Sequence, residues 1–518
     1  MTAVLGLKPG HDGAAALIVD GDLVYSLEAE KDSFERYSPL TAQVLVEALV
    51  EAPVFPDAVA VGGWYKALPG PLASIAAGYH GVEPGELRDV RMLGQATSLY
   101  SSSHERSHLY GGVAMSPFDP HGDLVVLVWE GVLGAFYRWR GPREPVERFE
   151  VLDQPGGRYA ALYSLADPEF AERGQMSQGE HSGKLMALAG FADDRPPTTD
   201  SVDVVESLFK LRNLYPFDKA RYRQSPLHNC GVTDPELCRA ARYLTDRLFE
   251  IYHQAAQRLF EPGLPLVITG GCGLNCDWNS LWRASAVFGD VFVPPVANDS
   301  GSAIGTAMDA YVQLGGDCKL TWDVYRGARF VADAEPEDLG WRSDVLDVVR
   351  LSEVLDRGEV VAWVQGRCEI GPRALGNRSL LASASDPLSH ERLNTIKERA
   401  SYRPIAPVCL EEDLGRWFDS DHPDPYMLYF RRVRHRERIP AVTHVDGSAR
   451  AQSVTASSHP RLHELLVAHR AGTGVGVLCN TSLNFSGTGF VNRATDLFRY
   501  CDHTGIDHVV VEDRWYTR

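Results

Sequence analysis

Two histidines carry the first sign of chemistry. In His104-Glu105-Arg106-Ser107-His108 the imidazoles stand four residues apart, so on a helix they share one face and reach a single metal ion. The same spacing is common in capping or solvent-facing pairs, and alone it decides nothing. Two carboxylates widen the set: Glu130 follows the apolar run 123–129, and Asp299 lies in 294–308, ahead of small residues that admit close approach. Two imidazoles and two carboxylates suit a divalent transition ion such as iron or zinc. The segment also reads His-Glu-x-x-His, which would make Glu105 the general base of a zinc protease. The Gly-rich loops elsewhere have no part in peptide hydrolysis and weigh against that reading.

The strongest constellation is basic. Residues 366–403 carry Arg367, Arg373, Arg378, Arg392, Lys397, Arg399 and Arg403 against Glu369, Asp386, Glu391 and Glu398, in a chain of net charge −18. Guanidinium forks hold phosphate oxygens in bidentate fashion and a lysine adds a point charge, so an anion pocket is expected; a solvated basic face is the alternative. Asn480-Thr481-Ser482-Leu483-Asn484 follows an apolar run and adds hydroxyl and amide groups. Three Gly-rich turns bring backbone N–H groups toward an anion: Gly10 in 9–13, Gly270, Gly271 and Gly273 in 270–273, and Ser300 in 300–302. Each by itself is an ordinary turn. Lys184, after Gly183, adds a cation near a turn, although no GxxxxGK[ST] loop is present. A second run, Arg431, Arg432, Arg434, Arg436 and Arg438, alternates as a solvent-facing strand does.

The elements that must position these groups repeat. Residues 3–7, 14–19 and 23–30 read as strand, loop, strand, tight turn and strand, and 123–129, 134–139 and 145–152 repeat the plan about 120 residues later. This duplication suggests a two-lobed, actin-like α/β architecture. Residues 235–260 show helical spacing of apolar positions and lead into the apolar strand before Gly270. The acidic, aperiodic stretch 330–345 marks a division near residue 340, beyond which 359–366 and 474–485 supply the strands of a separate α/β part.

Composition sets the limits. The 518 residues, with 44% hydrophobic and 23% charged, describe a folded globular chain of several domains. Net charge −18 opposes nucleic-acid and anionic-membrane partners. No export signal and no membrane-length apolar run is evident, so a cytoplasmic location is expected. Nine scattered cysteines read as reduced, buried small hydrophobes. Trp64, Tyr65 and Tyr79 are candidates for an acceptor pocket.

The segments GPRALGNRSLLA, IKERASYRPIAPVCLEED and NTSLN, with KPGHDGAAAL, HERSH, GKLMALAG, GGCGLN and NDSGSAIGTA before them in order, resemble the O-carbamoyltransferase family of nodulation-factor and antibiotic tailoring enzymes. The resemblance spans nearly the whole chain. It implies an actin-like (ASKHA-type) N-terminal domain similar to the threonylcarbamoyl-transfer protein, residues 1–340. It also implies a C-terminal YrdC-like α/β domain, residues 341–518, forming a carbamoyl adenylate from carbamoyl phosphate and ATP. A hydroxyl of a small natural product then takes the carbamoyl group and AMP leaves. On this basis Lys397, Arg403 and Ser482 match the carbamoyl-phosphate site, with Arg373 and Arg378 serving phosphate or nucleotide. Gly10, Lys184, Gly270, Gly271, Gly273, Asn275, Asn298 and Ser300 fall to the nucleotide. His104, His108 and Asp299 match the metal site with Glu130 as further ligand, although Trp129-Glu130-Gly131 stands where an Asp-Gly pair is common. The metal is read as Fe2+, with Mg2+ accompanying ATP, and His11 orients or deprotonates the acceptor hydroxyl. Partners are expected to be a small-molecule alcohol and, by base rate, a second copy. The other enzyme readings are an actin-like kinase and a threonylcarbamoyl-type tRNA modifier; a nucleotide-binding scaffold is the non-enzyme alternative.

Overall fold

The computed structural model describes residues 1–63, 78–175 and 179–518; Trp64 and Tyr65 lie outside the described residues. Two compact units result, Met1–Met115 with Asp299–Arg518, and Ser116–Asn298.

The first unit begins with a six-stranded sheet: β1 (Ala3–Lys8), β2 (Ala14–Val19), β3 (Asp22–Glu28), β4 (Ala58–Gly62), β5 (Arg88–Met92) and β6 (Gln95–Ser102), in the order β3-β2-β1-β4-β6-β5. β1, β2 and β3 run antiparallel, whereas β4 and β6 continue parallel to β1. The β2–β3 hairpin turns on Asp20-Gly21, both with positive φ, as a two-residue turn between twisted strands requires. The second unit repeats the plan with β7 (Leu124–Trp129), β8 (Gly134–Trp139), β9 (Glu147–Glu150), β10 (Leu266–Thr269) and β11 (Val291–Phe292), in the order β11-β10-β7-β8-β9. Here too three antiparallel strands precede parallel ones. The expected duplication is present strand for strand, and this third-second-first-fourth order is the actin-like plan.

The first unit also holds an eight-stranded sheet drawn wholly from residues beyond 340. Its members are β12 (Arg342–Val345), β13 (Val361–Val364), β14 (Arg378–Ser383), β15 (Ala406–Leu410), β18 (Gln452–Val454), β19 (Val477–Ser482), β20 (His508–Val511) and β21 (Arg514–Thr517); β16 (Arg431–Arg432) and β17 (Ser448–Ala449) pair separately. The order is β12-β21-β20-β13-β14-β19-β15-β18. Successive residues of β13 and β14 enter different apolar clusters: Ala362, Val364, Leu380 and Ala382 one, Val361, Trp363 and Leu381 the other. The period-2 alternation of a strand thus buries both faces. By compactness the division expected at residue 340 falls inside this unit, ahead of the eight-stranded sheet.

Two local expectations are corrected. Arg431 to Arg438 is not a solvent-facing strand: only Arg431–Arg432 is extended, and Arg431 is buried with its guanidinium donating to the carbonyls of Ser420 and His422. Lys184 lies within the helix Gly179–Ala189 and bonds Glu180 one turn earlier at 2.8 Å. Among the described residues no helix is long and apolar enough to cross a membrane.

The helix His104–Met115 starts where Ser103 Oγ accepts the Arg106 N–H at 3.0 Å, a side-chain cap. It packs on the helix Ser302–Gln313 through facing glycines: a Cβ on Gly305 would stand 1.7 Å from the Ser107 carbonyl oxygen. Ser107 and Thr306 hydroxyls bond at 2.8 Å across the crossing. Buried Asp309 closes it, accepting from Tyr100 (2.9 Å), Ser102 (2.7 Å) and Arg106 Nε (2.9 Å). Gly305→Ala should therefore overpack the crossing and cost about 3 kcal/mol, read as a lower thermal midpoint. An unchanged midpoint would show that the two helices separate freely.

Candidate active site

The helix crossing brings three of the sequence-identified metal ligands together. His104 and His108 lie one turn apart on the His104–Met115 helix, and Asp299 opens the short turn before Ser302–Gln313. His104 Nε2 and His108 Nε2 are 3.2 Å apart, and Asp299 Oδ1 is 3.6 Å from the first and 3.4 Å from the second. For metal–ligand bonds of about 2.1 Å, neighbouring donors of a tetrahedral or octahedral ion stand about 3.0–3.4 Å apart, so the three residues fit a divalent ion. All three are buried. Tyr79 stacks on His104, with ring centroids 4.3 Å apart and an interplanar angle of 21°.

The other carboxylate oxygen of Asp299 faces a different set. Oδ2 lies 3.4 Å from Lys8 Nζ and 3.7 Å from His11 Nδ1; Lys8 also donates to the His11 carbonyl at 2.8 Å, and His11 Nδ1 meets Asp12 Oδ2 at 2.8 Å. Burial works to raise the Asp299 carboxyl, but His104, Lys8, His108 and His11 around it hold it well below the usual range. Burial lowers His11, and the hydrogen bond to Asp12 with the Asp299 charge carries it above its ordinary value. Glu105, the base that a zinc protease would need, instead accepts the Gly81 N–H at 2.7 Å and is buried.

A second site gathers around Lys397, at the end of the helix Leu388–Ile396. Its ammonium donates to the Ser482 carbonyl (2.6 Å), the Asn484 carbonyl (2.9 Å) and Asn484 Oδ1. These take up its three protons, so it meets an anion as a fixed charge. Ser482, closing β19, donates from Oγ to Asn484 Oδ1 at 2.6 Å. Burial lowers Lys397 well below the usual lysine range, and the charges adding to this are Arg399, Arg36 and Arg403. Arg399 is pushed down to about 9 by burial, then by Arg403 and Arg450. Cations gathered around buried Lys397 and Arg399 in this way form a pocket whose natural complement is an anion. Asn394 holds its shape, accepting from Arg399 Nε at 2.5 Å and donating to the Arg403 carbonyl at 3.0 Å.

The family model for the carbamoyltransferase N-terminus matches residues 217–308, and that for the carbamoyltransferase C-terminus matches 352–518. The chain is 50% identical over 515 residues to 3'-hydroxymethylcephem-O-carbamoyltransferases of Amycolatopsis lactamdurans and Streptomyces clavuligerus, covering 99% of this chain and 99% of each relative. It is 34% identical to nodulation protein U of Rhizobium tropici, over 98% of this chain and 94% of that one. The chain belongs to the carbamoyltransferase family. Among solved structures it is similar to the activator of the 2-hydroxyisocaproyl-CoA dehydratase from Clostridium difficile at 11% identity and a TM-score of 0.34, covering 61% of this chain and 96% of that one.

The remaining residues of this carbamoyltransferase divide by unit. Gly10 neighbours His11 in the β1–β2 loop, and Ser300 follows Asp299. In the second unit Glu130 sits in the turn after β7, its N–H donating to Leu133 and its carbonyl accepting from Gly156. Gly270, with φ +87°, leads into the turn holding Gly271 and Gly273, while Asn275 caps the helix Cys276–Ala284 by accepting from Asp277 and Trp278. Asn298 ends that unit. Arg373 lies in the loop before β14, whose backbone is pinned by buried Glu369 accepting from Leu375 (2.6 Å), Asn377 (3.3 Å) and Arg378 (3.3 Å).

Arg378 is held differently from the other arginines of this segment. It is wholly buried, and its guanidinium donates to Asn492 Oδ1 from both Nε and Nη2, to Gln365 and Asn377 carbonyls from Nη1, and to Gly366 from Nη2. Five N–H donors meet five acceptor contacts within the chain, so Arg378 ties the loop to the sheet. Arg36 and Arg450 are the cations that sequence reading missed; no spacing signal links residues so distant to 397–403.

Arg378→Met should cost about 3–5 kcal/mol by leaving those acceptors buried and unpaired, measured by denaturant unfolding; a stable variant with weakened phosphate affinity would reverse the assignment. His108→Ala should weaken Mn2+ binding by about a hundredfold or more in calorimetric titration, with unfolding little changed. Equal Mn2+ affinity would remove the residue from the metal site.

Proposed function

We propose that this carbamoyltransferase uses carbamoyl phosphate and ATP to carbamoylate the exocyclic hydroxymethyl group of a cephem antibiotic intermediate. The observation that carries the reading is the cluster of cations around buried Lys397, in a chain half identical over its full length to relatives named for that acceptor. Carbamoyl phosphate loses phosphate to water, a carbamate oxygen attacks the α-phosphorus of ATP as pyrophosphate leaves, and the acceptor oxygen then attacks the carbamoyl carbon as AMP leaves.

Lys397, Arg403 and Ser482 hold carbamoyl phosphate, with Arg373 at the loop beside them. Gly10, Gly270, Gly271, Gly273, Asn298 and Ser300 receive the nucleotide through backbone N–H and small side chains. Lys184 and Asn275, engaged with Glu180 and with the helix cap, serve its surroundings. A divalent ion, Fe2+ foremost, held by His104, His108 and Asp299 with Glu130 as a further ligand, would supply Lewis-acid stabilisation of charge on the departing AMP. His11, its ring oriented by the Nδ1 contact to Asp12, takes the proton of the acceptor hydroxyl. The cytoplasm, which supplies ATP, is the proposed location.

The test is AMP and pyrophosphate release from ATP with and without carbamoyl phosphate. The expected result is strict dependence on carbamoyl phosphate, lowered about a hundredfold or more in Arg403→Ala, and a cephem product heavier by one carbamoyl group in mass spectrometry. ATP use indifferent to carbamoyl phosphate, or ADP in place of AMP, would sink the reading and favour a kinase.

A further inference from the structure

The chain that leaves β3 is laid against the turn after β19. Ser33 N donates to the Phe490 carbonyl (3.0 Å), Gly489 N to Phe34 (2.9 Å) and Arg36 N to Gly487 (3.2 Å), while Glu35 bridges Thr488. Asp32 is clamped by Arg493, with Nε at 2.8 Å from Oδ1. The turn it grips is the one that shapes the basic pocket: Asn484 Nδ2 donates to the Thr488 carbonyl at 2.9 Å, and the Asn484 carbonyl accepts Lys397 Nζ at 2.9 Å. Arg36 is thus fixed at backbone level to the segment that fixes Lys397, some 360 residues away in sequence.

We propose that Arg36 is a further phosphate-binding residue of the basic pocket, delivered to it by this N-terminal strap. The need for it follows from Lys397. Because the three ammonium protons of Lys397 go to Ser482 and Asn484, direct hydrogen bonds to a phosphate must come from other cations. Arg36 is one of those whose charge reaches Lys397, alongside Arg399 and Arg403. Its side chain is 35% exposed, so an anion arriving from solvent can meet it. Its Nε stands 3.9 Å from Glu30 Oε2, the outer limit of an ion pair, and its guanidinium lies over the Tyr37 ring at 5.6 Å. The planar guanidinium fork matches a phosphate with two parallel N–H bonds. The ligand class is a phosphate oxyanion, whether of carbamoyl phosphate or of the ATP triphosphate; the inference rests on the proposed reaction for that choice.

Arg36→Ala and Arg36→Lys, in the full-length metal-loaded protein, test it in two independent ways. In carbamoyl-phosphate-dependent pyrophosphate release, Arg36→Ala should raise KM for one phosphorylated substrate about tenfold or more with kcat within about threefold, and Arg36→Lys should recover part of the loss. Whether the KM of carbamoyl phosphate or that of ATP rises identifies the source. Calorimetric binding of inorganic pyrophosphate, which needs no turnover, should weaken in parallel, while Mn2+ titration and thermal midpoint stay at the wild-type values. A wild type that binds pyrophosphate through Arg36 but shows no carbamoyl-phosphate-dependent turnover would sink the proposed reaction and keep the residue. Unchanged KM values with unchanged or undetectable pyrophosphate binding would overturn the role of Arg36.

Discussion

A buried carboxylate and a buried ammonium take hold of one glycine. Glu28, the last residue of β3, accepts the Gly371 N–H at 2.7 Å, and Lys31 donates to the Gly371 carbonyl at 2.7 Å, across 340 residues of sequence or more. The two charges are 3.9 Å apart, and Lys31 sits 3.7 Å over the Phe490 ring. Taking two charges out of water costs several kcal/mol per ion unless each finds a partner and hydrogen bonds. Here the partners are each other and the Gly371 backbone, with the Ser300 side chain at Glu28 and the Phe490 ring under Lys31. Gly371 has φ +88°, a conformation that disfavours any Cβ, so both the residue type and its place are imposed. The loop carrying Arg373 therefore has its shape set by the N-terminal hairpin, and the site beyond residue 340 is built on elements before residue 115. That constraint explains why the first and last parts of the chain form one compact unit.

The metal triad depends on a simpler constraint, the absence of side chains. Gly111 and Gly305 allow the two helices to approach until Ser107 and Thr306 touch, which brings residues 104, 108 and 299 within one coordination shell. The polarity of the two sites is then opposite. The Asp299 carboxylate is balanced by His104, Lys8, His108 and His11 and stays ionised. Around Lys397 the named charges are all positive, and burial adds to their mutual repulsion. In a chain of net charge −18 such a pocket persists only because backbone carbonyls of the NTSLN turn solvate the ammonium.

What the sequence makes legible is what is local. The two strand units could be read because each is an apolar run closed by a turn with a fixed chemical requirement, as at Asp20-Gly21. The histidine pair could be read because four residues make one helical turn. The internal partners of Arg378 could not be read, since a guanidinium in a basic segment looks the same whether or not its five donors meet Gln365, Gly366, Asn377 and Asn492. The turn expected at Lys184 failed for a related reason: Gly183 beside it suggests one, yet the surrounding residues continue a helix and Glu180 supplies the partner. Arg36 and Arg450 carry no local signal at all, because only the packing of distant segments makes them neighbours of Lys397.

The division of labour between Lys397 and its neighbouring arginines follows from donor geometry. An ammonium has three donors in a cone; once a turn has supplied three acceptors, its charge remains but its directionality is used. A guanidinium has five donors in a plane, so Arg399 can give Nε to Asn394 and Nη2 to the Pro404 carbonyl and keep further N–H groups on the same fork. A pocket that must recognise a planar array of phosphate oxygens, and release it after reaction, is better served by a lysine that sets the potential and arginines that read the shape. The order of residues in 397–403, with one lysine locked by NTSLN and the arginines spread beyond a positive-φ Glu398, is the arrangement that this physics favours.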